Sequence, residues 1–259
     1  MSPLYYDNCQ LELTVGKTIF DYADSLKVRV PTSCGRSGEC HECVVEVKRG
    51  LNALSQPSTS EEFLRGSYRL ACQATVVDPE ADVEFAVLRR QPRILTDSIR
   101  RKVKLEPLTV RRGDDVYFGN QRIDSYRGQI YGLAIDAGTT TVALNLVDLE
   151  SGKVIYTASF ENPQRFGGSD IMHRISYDNG PFQGEMQQVM LSSANFEIGE
   201  MSRQLGFHRR RIYDVVVVGN STMRDIFFGI DVQSIGERPY KSLTEHELER
   251  GERETTALN

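Results

Sequence analysis

Apolar and polar residues alternate from Cys9 to Val15, with Cys9, Leu11, Leu13 and Val15 on one side and Gln10, Glu12 and Thr14 on the other. That alternation predicts a half-buried strand whose inner face includes Cys9. The period then changes. Ile19, Phe20, Ala23 and Leu26 fall on one face of a helix over 18–28. CVVEVKRG (43–50) predicts a second strand running into a glycine turn, and SEEFLRG (60–66) a short helix ended by Gly66. RLACQATVV and ADVEFAVL predict two more strands, with Asp78-Pro79 turning the chain between them. Strands packed on one helix make residues 1–88 a small α+β domain.

A different pattern begins at Gln129. YGLAIDAGTTTVALNLVDLESGKVIYTASFE predicts three consecutive strands with turns at Ala137-Gly138 and Ser151-Gly152. Residues 183–204 predict a long helix. YDVVVVGNSTMRDIFFGI predicts a buried strand, a Gly-Asn turn and a helix start. Between the two patterns, residues 89–128 form a connector with Pro92, Pro107 and a short hairpin in GDDVYFGNQRID.

Charge sharpens this division. Residues 1–88 carry thirteen Asp/Glu against eight Lys/Arg, whereas 89–112 carry nine Lys/Arg against two Asp/Glu. Such a block is expected to be a solvated connector lying against acidic neighbours, with a phosphate or nucleic-acid site as the alternative. The net charge of -5 over 259 residues argues against nucleic acid as the main partner. The start has no basic cap with an apolar run, and nowhere do eighteen apolar residues follow one another, so a cytoplasmic protein without a membrane span is expected. Reducing conditions there favour metal ligation over disulfides for a clustered set of cysteines.

Such a set exists. In TSCGRSGECHEC, Cys34, Cys40 and Cys43 are separated by five and then two residues, and Cys72 follows in RLACQ. Four thiolates meet the demand of a 2Fe-2S centre, two on each iron. Gly35 and Gly38 allow the sharp turns that bring backbone N–H groups toward sulfur. Structural zinc usually takes two close chelating pairs, and only Cys40 and Cys43 form one; zinc and uncommitted thiols stay as the alternatives. His41 invites a Rieske reading, but such centres replace two cysteines and all four are present, so His41 is expected to face solvent. Glu39 and Glu42 put negative charge beside the loop, disfavouring extra electron density or helping a basic partner dock. Further on, Asp136, Gly138, Thr139 and Thr140 end an apolar strand in a tight turn that fits either a magnesium-bound phosphate or a plain hairpin. Asp170 and His173 read as helix-start and helix-surface residues and Asn220 as a turn former.

VPTSCGRSGECHECVVEV together with RLACQ resembles the 2Fe-2S ferredoxin family, closer by its first gap to the adrenodoxin-like branch than to the plant type. Over roughly residues 1–88 the resemblance implies a β-grasp fold, one-electron transfer, and Cys34, Cys40, Cys43 and Cys72 as ligands of a 2Fe-2S cluster. YGLAIDAGTTT resembles the first phosphate loop of the actin, sugar-kinase and heat-shock-protein ATPase superfamily. This implies a ribonuclease-H-like α/β region over 129–259, with Asp136, Gly138, Thr139 and Thr140 as nucleotide-binding residues for ATP and Mg2+. As a whole the arrangement resembles the reductive activators of corrinoid proteins. NPQRFGGSDIMHRISY, VVVVGNSTMRDIFFGI and the Gly236 to Tyr240 stretch match that family's middle portion.

The family resemblance implies a task. An upstream reductant protein loads the cluster, one electron passes to a cob(II) corrinoid protein to restore cob(I), and ATP helps the uphill step. Sequence up to Asn259 is expected to lack the second ATPase lobe, leaving the α/β region incomplete and serving as scaffold or homodimer surface. One rival is a general ferredoxin-type carrier of an oxidoreductase system with a non-catalytic second domain; the other is an ATP-regulated binding protein whose metal site is structural zinc. No G-x-G-x-x-G fingerprint is present, so the electron is expected from another protein rather than from NAD or flavin.

Overall fold

The computed structural model of the chain describes residues 3–88 and 104–258. In chain order the first strands and helix are β1 (Pro3–Tyr6), β2 (Cys9–Glu12), α1 (Ile19–Ser25), β3 (Val44–Arg49), β4 (Tyr68–Leu70) and β5 (Val83–Val87). Then follow β6 (Thr109–Arg112), β7 (Asp115–Phe118), β8 (Gln121–Ser125), β9 (Tyr131–Ala137), β10 (Thr141–Asp148) and β11 (Val154–Glu161). The remainder holds α2 (Ile171–Asp178), α3 (Glu185–Leu205), β12 (Ile212–Val218), α4 (Ser221–Phe228), α5 (Gln233–Gly236) and α6 (Leu243–Glu249). The described residues fall into two compact units, one made of 3–88, 163–194 and 225–258, the other of 104–162 and 195–224. Residues 89–103, the first part of the expected 89–128 connector with six of the nine Lys/Arg of its 89–112 block, lie outside the described residues.

In the first unit, five strands run in the order β2-β1-β5-β3-β4, with β1 and β5 parallel and the other neighbours antiparallel. The sheet closes on α1, the β-grasp arrangement that the resemblance implied. Thr18 starts the helix with a reciprocal cap: its hydroxyl accepts the Asp21 N–H at 3.2 Å while Asp21 Oδ2 accepts the Thr18 N–H at 2.8 Å. Ile19, Phe20, Tyr22 and Ala23 are buried against the sheet, each large side chain contributing about 1.5–3 kcal/mol. This core runs without a break from Leu4, Val45, Leu70 and Phe85 into Phe166, Ile175, Tyr177 and Met186 of residues 163–194.

Three expectations for this unit need correction. The stretch after Cys9 is an edge strand that among the described residues pairs only with β1, and Cys9 and Val15 are exposed; Leu13 carries the burial. An edge strand with no layer over its end does not bury its full alternating face. RLACQATVV is a strand only over Tyr68–Leu70, and the chain then turns at 71–73, so Cys72 sits on a turn. The predicted helix over 60–66 is a single 3-10 turn, Thr59–Glu61, with Gly66 left-handed at φ +65 beyond it.

The second unit holds a three-stranded meander β6-β7-β8 and a four-stranded sheet in the order β11-β10-β9-β12. Strands β9 to β11 are antiparallel neighbours, and β12 joins β9 in parallel. The three strands predicted over 131–161 are present, and in β10 every second residue, Val142, Leu144 and Leu146, is buried. The VVVV run of β12 is not buried as expected. Val215, Val216 and Val218 are each more than half exposed, on both faces of a strand that is the last of its sheet among the described residues. Among the described residues no helix is long and apolar enough to cross a membrane.

Candidate functional site

The cysteine loop owes its shape to backbone that most residues avoid. Gly35, Arg36, Gly38 and His41 all have positive φ, at 66°, 75°, 91° and 55°. For Arg36 and His41 this costs on the order of 1–2 kcal/mol each, and both are held by contacts. The Arg36 guanidinium lies 4.0 Å from the Phe20 ring centroid and pairs with Asp24 at 2.5 Å and Asp21 at 3.5 Å. His41 stacks on Phe63 with centroids 4.2 Å apart, and its Nδ1 lies 2.8 Å from Glu185 Oε2. His41 is therefore not the solvent-facing residue expected of it; its side chain is 21% exposed. The φ at Gly38 favours glycine, and a Cβ there would press the Gln73 amide at 3.0 Å and Ser60 Oγ at 3.1 Å.

Cys72 is aimed from the other side by the turn after β4. Ala71 N–H donates to the Cys43 carbonyl at 2.8 Å, and the Ala71 carbonyl accepts the Phe20 N–H at 3.0 Å, so this turn is pinned to both β3 and α1. Behind it lies a fully buried ion pair absent from the sequence reading. Arg69 Nε donates to Glu61 Oε1 at 2.8 Å and its far nitrogen to Oε2 at 3.1 Å, while Glu61 also accepts the Leu70 and Ser58 N–H groups. Burial raises the Glu61 pKa, but these donors outweigh it and hold the carboxyl below its ordinary range. The Ser-x-x-Glu pattern at 58–61 was a visible signal for a capped turn; the eight-residue step to Arg69 was not.

The thiols stand as two pairs. Cys43 donates to Cys72 Sγ at 3.4 Å, and both are buried. Cys34 and Cys40, both half-buried, share a hydrogen bond. Hydrogen bonding from Ser37, then from the Cys40 and Gly38 N–H groups and the Cys40 thiol, outweighs desolvation and brings the Cys34 thiol down to about 5. In the inner pair, the bond to Cys72 and then burial push Cys43 up, while Cys72, accepting from Cys43 and from Gln73 Nε2, falls to about 7. The site thus favours thiolate, the form that binds metal, on one member of each pair. Among the described residues no group of three or more His, Cys, Asp or Glu side chains stands close enough together to hold one metal ion. Two thiol pairs suit two irons better than one tetrahedral zinc.

The threonine turn lies at the ends of two parallel strands. Asp136, near the end of β9, is exposed, and Gly138 to Thr140 turn the chain into β10. A Cβ on Gly138 would fall 2.3 Å from the Thr141 carbonyl oxygen, so only glycine fits. Asn162 Nδ2 donates to the Gly138 carbonyl at 2.8 Å, and Asn220 Nδ2 to Thr139 Oγ1 at 3.2 Å. Asn220 also accepts the Met223 N–H at 3.0 Å, capping α4. It is therefore more than a turn former: it ties the β12–α4 connection to the threonine turn. Asp170 and His173 are where the sequence put them, as N-cap and exposed surface of α2.

Comparison with known proteins matches this architecture. Residues 6–77 match the family model of the 2Fe-2S iron-sulfur cluster binding domain, and residues 131–257 match that of the RACo middle region. The corrinoid activation enzyme RamQ of Eubacterium limosum is 24% identical over 273 aligned positions, covering 89% of this chain and 46% of RamQ. The 2Fe-2S ferredoxin of Escherichia coli K12 is 32% identical over 86 positions, 30% of this chain and 78% of the ferredoxin. Among solved structures, one described as a reductive activator for corrinoid, iron-sulfur protein superposes with a TM-score of 0.50 at 23% identity. That match covers 94% of this chain and 51% of the other. The chain spans about half the length of both RamQ and the solved activator.

Proposed function

The chain belongs to the proteins that join a 2Fe-2S iron-sulfur cluster binding domain to a RACo middle region, and on that premise we propose that it is the electron-carrying part of a reductive activator of corrinoid proteins. Its cluster is held by Cys34, Cys40, Cys43 and Cys72. The observation that carries this reading is the meeting of Cys43 and Cys72 at 3.4 Å, from opposite sides of the site, beside the half-buried Cys34–Cys40 pair. When bound, the cluster supplies a store for one electron.

The chain's own residues do the rest. Buried Cys43 and Cys72 keep water from the inner side, and the exposed Gly35–Ser37 segment is the face offered to a redox partner. An upstream reductant protein of the cytoplasm, where thiols stay free to ligate, gives one electron. A cob(II) corrinoid held by its own protein takes it and becomes cob(I), so one cobalt is reduced for each donor equivalent oxidised. Mg-ATP belongs at Asp136, Gly138, Thr139 and Thr140, where phosphate oxygens would meet hydroxyls and turn N–H groups at the ends of parallel strands. ATP helps only through unequal affinity for two arrangements of the chain or its complex.

The test is an anaerobic titration of the reduced chain into a cob(II) corrinoid protein, followed by the cob(I) absorption band, with and without Mg-ATP. Cob(I) should form up to one equivalent per chain and be absent with Cys72→Ser. If the chain reduces a generic ferredoxin acceptor readily and leaves cob(II) untouched, the general-carrier reading replaces this one.

A further inference from the structure

The cysteine loop is gripped by residues that lie outside the 6–77 stretch matched to the iron-sulfur domain family. Both belong to the first turn of α3. Glu185 Oε2 lies 2.8 Å from His41 Nδ1, and Gln188 Nε2 donates to the Cys40 carbonyl at 3.1 Å. The Glu185 and His41 side chains are only 19% and 21% exposed, so their contact is less screened than a surface pair. The support under His41 comes from the same part of the chain. Phe63, on which His41 stacks, meets Phe166 edge-on at 5.5 Å, and Tyr177 Oη donates to the Phe63 carbonyl at 2.5 Å.

His41 lies between Cys40 and Cys43, in a left-handed conformation that its contacts sustain. Contacts that hold this ring also hold the strained backbone between the two sulfurs. We propose that Glu185 and Gln188 are positioning residues for the iron-sulfur site: the start of α3 fixes the Cys40–Cys43 edge of the loop and sets the charge beside it. This rests on reading the cysteine loop as the seat of the cluster, and it adds that the iron-sulfur domain sequence alone does not define the cluster's surroundings. The carboxylate of Glu185 disfavours added electron density, so its removal should make the cluster easier to reduce.

The test uses the full chain, reconstituted anaerobically with iron and sulfide, and compares it with Glu185→Ala, Glu185→Gln and Gln188→Ala. Backbone amide exchange over 39–43 should speed up on the order of tenfold in Glu185→Ala and less in Gln188→Ala, a charge-assisted hydrogen bond being worth about that factor or more. Exchange over β5 should stay as in the parent, which shows the fold intact. Glu185→Gln should raise the midpoint potential and move the paramagnetic resonance g values of the reduced cluster, which a merely structural role would not do. Unchanged loop exchange in both alanine variants overturns the proposal, as does an unchanged potential and spectrum in Glu185→Gln. If the parent takes up no iron, the cluster reading fails; amide exchange in the iron-free chain then decides the grip alone, loss of protection supporting it and no loss overturning it.

Discussion

The cysteine loop and the threonine turn are both glycine-shaped bends with polar side chains converging on them, yet they hold their shape by different means. Four residues of the cysteine loop are left-handed, and two of those are not glycine; ion pairs and aromatic faces keep Arg36 and His41 in place. The threonine turn needs little strain. One glycine avoids a carbonyl 2.3 Å from where a Cβ would stand, and two asparagine amides tie its ends. The lesson concerns what a ligand demands. On the proposed reading, two irons would need four sulfurs in fixed directions, which a strained and braced loop supplies. A phosphate would accept N–H groups and hydroxyls over a wider range, which an ordinary hairpin already offers.

Variants can break or sharpen that contrast. The largest effect is expected for Cys72→Ser, which should lose the visible absorption and most of the bound iron; full iron and colour in that variant would remove the ligand assignment. Next is Glu61→Gln, which leaves Arg69 buried with a weakened partner and should lower unfolding stability by about 3–5 kcal/mol in urea. The same pair gives a pH signature. Because the folded Glu61 carboxyl titrates below its unfolded value of about 4.5, its contribution is complete above that pH and is lost as pH falls through the lower folded value. Acid-limb unfolding curves of the Glu61→Gln variant should therefore be flatter than those of the parent. At the threonine turn, Gly138→Ala should cost about 1–3 kcal/mol by crowding and leave cluster content alone. Asp136→Asn should weaken Mg-ATP binding by calorimetry without changing stability; equal affinity in the two proteins would return the turn to a plain hairpin. The smallest change is expected for Arg36→Gly. Relief of a strained φ and loss of exposed ion pairs nearly cancel, leaving a stability difference within about 1 kcal/mol.

Much of this was readable from the chain alone where the signal is local. The helix at Ile19–Ser25 follows from its apolar face, and the clustering of Cys34, Cys40 and Cys43 with a distant Cys72 is visible in the sequence itself. What escaped is non-local. Cys9 looks inward in an alternating pattern, but only the sheet order reveals that its strand is at the edge. Nothing near His41 announces Glu185, 144 positions away. The valines of β12 read as interior because a buried parallel strand and an uncovered one share the same letters; neighbours decide, and neighbours are set by topology.

One consequence follows from the unbroken core linking Leu4 and Phe85 to Phe166 and Tyr177. A free-standing ferredoxin has no reason to present a socket for those later aromatics. Grafting one in place of residues 1–88 should therefore yield a chimera with bare apolar surface and a tendency to precipitate, even if the graft keeps its iron. Residues 1–88 are not an interchangeable cartridge; they and the 163–194 segment share one core.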